Sequence, residues 1–329
     1  MGDYNMICRQ LLIRHLGRLR VGQAGGAEEA CAPWLPADTL FSALCHAIRS
    51  VWGLAYLEDF LKQMDTSQPP ALLLTAGYPC LFDDPDDPLY FLPKPLHHLP
   101  PDPAREFGGE WAKALKRTQL IPAQAFVPWV SGKPIQLATI AAARERLAKH
   151  VAFEINARTA LDRVSQNSHL FFLQALRFSS HAGLYALALA SEETWELLIP
   201  ALRWLEESGL GGERTLGFGH CRISITEPPA WYGQLPSYHG GPFCTLSAFA
   251  PQPEELPELI EGADFQILEK SGWSQSPGWS GLVRRYRLFI EGSCFRRPAQ
   301  GRLLDVTPAN APHPVYRYAF AFPISLQEG

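Results

Sequence analysis

No apolar run in this chain approaches the roughly 18 residues that a membrane-spanning helix requires, and the opening MGDYNMICRQLLIRH mixes polar and apolar residues where a secretory leader would carry an apolar core. A soluble, cytoplasmic protein with no membrane partner is therefore expected. Cysteine is sparse and solitary: Cys8, Cys31, Cys45, Cys80, Cys221, Cys244 and Cys294 include no C-x-x-C pair and have no histidine at ligand spacing beside them. Reduced thiols fit that spacing, whereas a disulfide framework or a zinc site does not, so neither a metal nor another cofactor is expected. Charge is scarce too. Only 19% of the 329 residues are charged, against 47% hydrophobic, which excludes long disordered tails and leaves chain enough for two domains with their own cores. Lysine is the rarer cation: arginine outnumbers it about threefold, and a planar guanidinium suits phosphates and bases better than an ammonium does.

What is present begins with the placement of those arginines. The formal net charge of −4, taken alone, argues against a nucleic-acid partner. Yet Arg9, Arg14, Arg18 and Arg20 lie in a stretch free of acids, and Arg284, Arg285, Arg287, Arg296, Arg297 and Arg302 share a stretch whose only acid is Glu291. Solvated strand faces would show the same pattern, so both readings stand at this point.

Residues 4–16 read as a first strand. Asp38 is placed to cap a helix in which Leu40, Phe41, Leu44, Ala47, Ile48 and Val51 recur at helical spacing, followed by a second helix in LAYLEDFLKQM and an apolar strand in ALLLTAG. Residues 77–135, dense in proline and aromatics, read as an insertion that projects from the domain. Beyond it, HLFFLQALRFS and GLYALALAS read as a strand pair. The helix ETWELLIPALRWLEESG carries Pro200, which predicts a kink or two abutting helices. In HCRISIT, Cys221, Ile223 and Ile225 alternate with His220, Arg222 and Ser224, leaving one face of a strand for the core and one available. The order is α+β, a ferredoxin-like βαββαβ unit over residues 1–228 with its middle elaborated. A Pro/Gly-rich boundary then leads into a strand-rich second domain at 240–329.

Between the last helix and strand of the first unit lies GLGGERTLGFGHCRI, with five glycines from Gly209 to Gly219. It is not a Walker loop, because Phe218 stands where the phosphate-reaching lysine belongs. Nor is it a dinucleotide fingerprint: the third glycine position is Arg214 and the loop opens a strand rather than a helix. A tight turn needed for packing accounts for two or three glycines. The remaining reading is a backbone nest that an anionic strand such as RNA approaches closely, with Arg214 at its tip and Thr215 as a hydroxyl donor.

GLGGERTLGFGHCRI resembles the C-terminal glycine-rich loop of the RAMP superfamily of CRISPR proteins, and more narrowly the Csm-type subunit that caps the 5′ end of the guide RNA in type III-A effector complexes. PADTLFSALCHA (36–47), ARTALDRVSQNSHLFF (157–172), IEGSCFRRPAQGRLLDVTP (290–308) and HPVYRYAFAFPI (313–324) match further stretches of that subunit in order, so the resemblance spans the chain. It implies two ferredoxin-like (RRM-like) domains, the first with the insertion at about 77–135 as a thumb. It implies binding of the repeat-derived 5′ tag of crRNA, docking against a large polymerase/cyclase-type subunit and against an adjacent RAMP backbone subunit, and no catalysis. Ala37 stands where the family would carry serine, and His220 where Lys or Arg often follows the loop, which removes a permanent charge.

On this reading Gly211, Gly212, Arg214, Thr215, Gly217, Gly219 and His220 are the candidate RNA contacts. Arg14 and His15 join them if the first strand neighbours the last; placement at the core edge is the alternative. Asp38 is read as a cap rather than a ligand. Arg163 pairs with Asp162 or lies near the RNA path. In the insertion, Lys113, Lys116 and Arg117 with Phe126 and Trp129 either hold phosphates and wedge a base or belong to a helix with solvated charges. Some RAMP relatives cut crRNA precursors with a histidine, and His15, His46 and His181 are the candidates for such metal-independent ribonuclease chemistry, although spacing identifies no partner for them.

Overall fold

The computed structural model describes residues 6–22, 30–84, 87–97, 113, 115–161, 168–276 and 278–327. Strand β1 (Ile7–Arg14) buries Leu11 and Ile13 and lies between β10 (Arg222–Thr226) and β9 (Ala182–Ala190), antiparallel to both. The far side of β9 pairs with β3 (Leu72–Leu74) and β4 (Tyr78–Leu81), and β5 (Leu89–Pro93) and β6 (Leu120–Pro122) extend the sheet, giving the order β10-β1-β9-β4-β5-β6. β9 reads as an unbroken apolar run because it is buried along nearly its whole length.

Helix α1 (Ala37–Trp52) forms where the apolar residues recur every three or four positions; Leu40, Phe41, Leu44, Ala47 and Ile48 are all buried. It packs on α5 (Glu192–Ser208), whose Trp195, Leu198, Leu202 and Leu205 complete the same core, and α2 (Leu54–Thr66) follows α1 after Gly53. The Ser191 hydroxyl caps α5 by accepting the Thr194 N–H at 3.2 Å. Pro200 lies inside a helix that runs continuously from 192 to 208, so two abutting helices are not formed. Asp38 is no cap: Pro36 occupies the cap position, and the Asp38 carboxylate turns elsewhere, as described below.

Two further expectations change. The described residues of 77–135 do not project: β4, β5 and β6 are strands of the main sheet, and α3 (Ala123–Val130) buries Phe126 and Trp129 beside Tyr78, Leu92 and Ile121. Proline there shortens strands without removing them from the core. β8 (Ser168–Phe178) does not pair with β9. It forms a long ribbon with β7 (Val151–Leu161), which follows α4 (Leu137–His150), and its base pairs with the two-residue β2 (Arg18–Leu19). That ribbon leaves Phe153, Ile155, Leu170 and Phe172 exposed.

The C-terminal part is built from short antiparallel strands: β11 (Phe243–Thr245) between β16 (Cys294–Phe295) and β19 (Pro323–Ser325), then the pairs β12 (Ile267–Lys270) with β15 (Tyr286–Phe289), β13 (Trp273–Ser276) with β14 (Trp279–Leu282), and β17 (Gly301–Asp305) with β18 (Tyr316–Phe320). A single-turn helix, α6 (Leu256–Leu259), interrupts them. Phe243, Phe249, Phe289 and Phe295 stack into one core with ring centroids 5.1–6.0 Å apart. The two parts share apolar interior: Tyr318 lies 5.5 Å from Phe41 in the core of α1, and the backbone N–H of Leu74 donates to the Tyr318 hydroxyl at 2.7 Å. All described cysteines are free, and no described helix is long and apolar enough to cross a membrane.

Candidate nucleic-acid interface

The glycine loop is fastened to β2. Gly212 N–H donates to the Arg20 carbonyl at 2.8 Å, Gly219 N–H to the Arg18 carbonyl at 2.7 Å, and Leu210 N–H to the Gly219 carbonyl at 2.9 Å. Gly217 N–H closes the turn onto Arg214 at 3.0 Å. The amides of Gly212, Gly217 and Gly219 are therefore used inside the protein rather than offered to a ligand, which corrects the expectation of an open nest at those positions. Two glycines are required by packing: a Cβ on Gly219 would enter the backbone of Leu210, and one on Gly211 would enter the Arg20 carbonyl. Gly212 differs. It is exposed, its φ lies outside the left-handed region, and a Cβ there would meet nothing closer than the Arg20 carbonyl at 3.8 Å. The fold does not require glycine at 212.

Beside the loop opens a cleft of about 1300 Å³. Gly211, Gly212 and Arg214 line it together with Arg20, with Thr39, Ser42 and His46 of α1, with Phe172 of the ribbon, and with β13, β14 and Arg317 from the C-terminal part. Four cations, Arg20, Arg214, Lys270 and Arg317, face two carboxylates, Asp38 and Glu213, so the cleft is positive in a chain of net negative charge. Arg214 is exposed and has no carboxylate within ion-pair distance among the described residues. Thr215 is exposed on the same turn, at Arg214–Leu216.

The interior end of the cleft is held by a buried ion pair. Lys270 Nζ donates to both Asp38 carboxylate oxygens, at 2.8 and 2.6 Å, and the Tyr286 hydroxyl donates to one of them at 2.9 Å. Burial alone would push the Asp38 carboxyl up, but Lys270, Arg317 and the Tyr286 hydroxyl outweigh it and hold the group below the usual carboxylate range. This carboxylate ties α1 to β12 and β15. Arg317 reaches the Ser42 hydroxyl at 3.1 Å. Desolvation by the cleft walls, with the fields of Arg214, Arg317 and Arg49, lowers the His46 pKa and favours its neutral form.

Arg14 and His15 are exposed at the end of β1, which does pair with β10: Arg14 stands opposite Arg222. His15 takes a left-handed conformation, φ 60°, in the turn to β2. Arg14 lies over the Phe82 ring at 5.0 Å with no carboxylate partner among the described residues, whereas Arg18 and Arg177 share Glu154 and Arg222 faces Glu206 and Glu207. His220 is exposed beside this strip. The C-terminal arginine cluster is largely paired: Arg284 with Asp305, Arg285 and Arg287 with Glu269, Arg297 with Glu258.

Lys113, Lys116 and Arg117 are exposed, but none of them lines the cleft. Phe126 and Trp129, expected as base wedges, are core residues at 0% and 4% exposure. Arg163 lies outside the described residues. Of the candidate histidines only His46 reaches the cleft. His181 sits instead beside His150, with ring centroids 5.9 Å apart, in a cluster where His150 Nδ1 is 2.8 Å from the Ser179 hydroxyl and Arg146 binds Asp83 at 2.8 Å. Sequence reasoning missed Arg20, Arg317, Lys270 and Trp273 as cleft residues. The acid-free arginine stretch marked Arg20 only as one of a cluster, and nothing local marks Trp273, Lys270 or Arg317.

Comparisons with known proteins cover most of the chain. Residues 239–326 match the CRISPR Csm4 C-terminal domain family and residues 32–222 the RAMP superfamily. The protein of Mycobacterium tuberculosis H37Rv described as CRISPR system Cms protein Csm4 is 32% identical over 297 residues, 89% of this chain and 90% of that protein. Its namesake from Streptococcus thermophilus is 26% identical over 86% of this chain and 88% of that one. Among solved structures, a Csm1-Csm4 cassette in complex with pppApA matches with TM-score 0.61 at 18% identity, covering 97% of this chain and 98% of that one. A Csm3-Csm4 subcomplex of the type III-A CRISPR-Cas interference complex matches with TM-score 0.66 at 13% identity, covering 97% and 100%.

Proposed function

This chain belongs to the Csm4 family of the RAMP superfamily, a type III CRISPR Csm subunit, and from that premise we propose that it is a non-catalytic RNA-binding subunit holding the repeat-derived 5′ tag of crRNA in a type III-A complex. The observation that carries the proposal is the positive cleft beside the glycine loop, with Gly212 open to close approach and Arg214 unpaired at its lip. Arg14, His15 and His220 would continue the path along the sheet edge, with Lys113, Lys116 and Arg117 as outlying contacts. The partners follow from the relatives: solved structures contain Csm4 with Csm1 and Csm4 with Csm3, and we assign this chain the same two neighbours, the large polymerase/cyclase-type subunit and the backbone subunit, which it would bridge. Strand order β10-β1-β9-β4, with α1 and α5 packed together, supports a ferredoxin-like unit in residues 1–228, with 240–329 as the second.

Acid–base cleavage of RNA needs two groups in complementary protonation states at one bond. Among the described residues the cleft holds one histidine, His46, and its lysine is bound to Asp38, which supports a holding role over a cutting one. The test is binding of a tag-sequence RNA to the full chain, followed by anisotropy across salt concentrations. Three guanidinium–phosphate contacts predict a log–log slope of about −2, at roughly 0.7 per phosphate on a single strand. No binding at low salt, or a shortened RNA, would overturn the proposal.

A further inference from the structure

A second wall of the cleft carries a feature that phosphate binding does not explain. In the β13–β14 ribbon the register sets Trp273 opposite Leu282 and Gln275 opposite Ser280. Residues directly opposite share a face, and all four line the cleft and are exposed. The ribbon is braced from behind: the Ser276 hydroxyl lies 2.7 Å from His313 Nε2, the Trp279 ring meets His313 edge-on at 5.8 Å, and Gly281 admits the Trp279 ring where a Cβ would come within 2.5 Å of it. Trp273 is 72% exposed, and among the described residues no ring or guanidinium stacks on it. A large, unstacked indole on one wall of a concave, positive cleft has the shape and chemistry of a stacking platform for a flat ligand.

We propose that Trp273 and Gln275 form a base-reading subsite, in which one base of the bound RNA stacks on the indole and the Gln275 amide pairs with its edge while Gly212 and Arg214 hold the adjoining backbone. A glutamine amide offers a donor and an acceptor side by side, the pattern that matches adenine N7 and N6, so adenine is the base this subsite favours. The cleft exceeds the roughly 300–1,000 Å³ of a pocket for one small molecule, which suits a nucleotide within a strand rather than a free mononucleotide. The inference rests on the proposal that the cleft takes RNA.

The test uses the full chain and a series of tag-sequence RNAs, each with one abasic ribose. Wild type is expected to lose affinity on the order of tenfold at a single position. Trp273→Ala loses a similar factor with intact RNA and no longer distinguishes the abasic position, Trp273→Phe restores part of the affinity, and Gln275→Ala keeps the stack but accepts other bases in place of adenine. Equal affinity of Trp273→Ala and wild type for intact RNA overturns the subsite while leaving RNA binding by the cleft intact. Loss of co-purification with a neighbouring subunit, with RNA affinity unchanged, overturns it in favour of a protein contact. Absence of RNA binding by wild type removes both proposals together.

Discussion

Two glycines in one loop should respond in opposite ways to the same methyl group. At Gly219 the left-handed backbone, φ 71°, costs an alanine about 1 kcal/mol before any contact is considered. Its Cβ would also enter the Leu210 backbone, which cannot rotate away as a side chain would. Relief requires moving Gly219 away from Leu210, which breaks Leu210 N–H to Gly219 carbonyl and draws Gly219 N–H off the Arg18 carbonyl, each bond worth about 1 kcal/mol net. Gly219→Ala should therefore lose about 3 kcal/mol or more. At Gly212 neither charge applies, and Gly212→Ala should be neutral or stabilising by about 0.4–1 kcal/mol through the unfolded chain. Urea denaturation of both variants measures the difference, and anisotropy with tag RNA completes it: Gly212→Val should keep the fold and lose affinity. A Gly212→Ala protein destabilised by more than about 1 kcal/mol, or a Gly219→Ala protein as stable as wild type, would refute the packing argument.

Lys270→Ala would leave the Asp38 carboxylate buried without its counter-ion, and a loss of about 3–5 kcal/mol is expected by denaturation, with the joint replacement Asp38→Leu and Lys270→Met recovering most of it. The folded-state pKa values of Asp38, Asp83, Glu206 and Asp305 are depressed. Their contribution is complete above the unfolded carboxylate values near 4 and disappears as pH falls through the lower folded values, so a thermal-melt series should show acid unfolding below about pH 4. Glu291 behaves oppositely: burial raises its pKa despite the hydrogen bond from the Trp34 N–H. Glu291→Gln should raise the melting temperature by an amount that vanishes in acid, grows as pH rises past the unfolded carboxylate value near 4, and levels off above the raised folded value. Arg214→Ala should weaken RNA binding and lower the salt slope by about 0.7–1; an unchanged slope removes Arg214 from the site.

Much of the framework was legible because it rests on local periodicity. The 3–4 spacing in α1 and α5 and the alternation in β10 each follow from one buried face. Partners were less legible. β8 and β9 are both apolar and adjacent in the chain, yet β9 has buried faces on both sides while β8 stands in the ribbon, a difference set by what packs on them. Proline and aromatic density in 77–135 signalled irregularity, but Tyr78, Phe91 and Ile121 are core residues in short strands. The glycine loop was found from composition alone; that β2 uses its amides depends on residues some 200 positions earlier, as Arg18 and Arg20 show. The cleft is legible only in part for the same reason, since α1, the loop and the β13–β14 ribbon come from distant segments. Asp38 illustrates the limit. Its position fits a helix cap, and only the fold brings Lys270 to it.

The most direct test is ultraviolet crosslinking in the assembled complex, made by co-expressing this chain with its neighbouring subunits and a repeat–spacer transcript, with crosslinked peptides and nucleotides identified together. Crosslinks from repeat-derived 5′ nucleotides to peptides around residues 209–222 and to the peptide containing Trp273 are the predicted result. Crosslinks from this chain to the spacer-derived guide alone, or to a cleavage junction with a shortened transcript, would contradict tag holding.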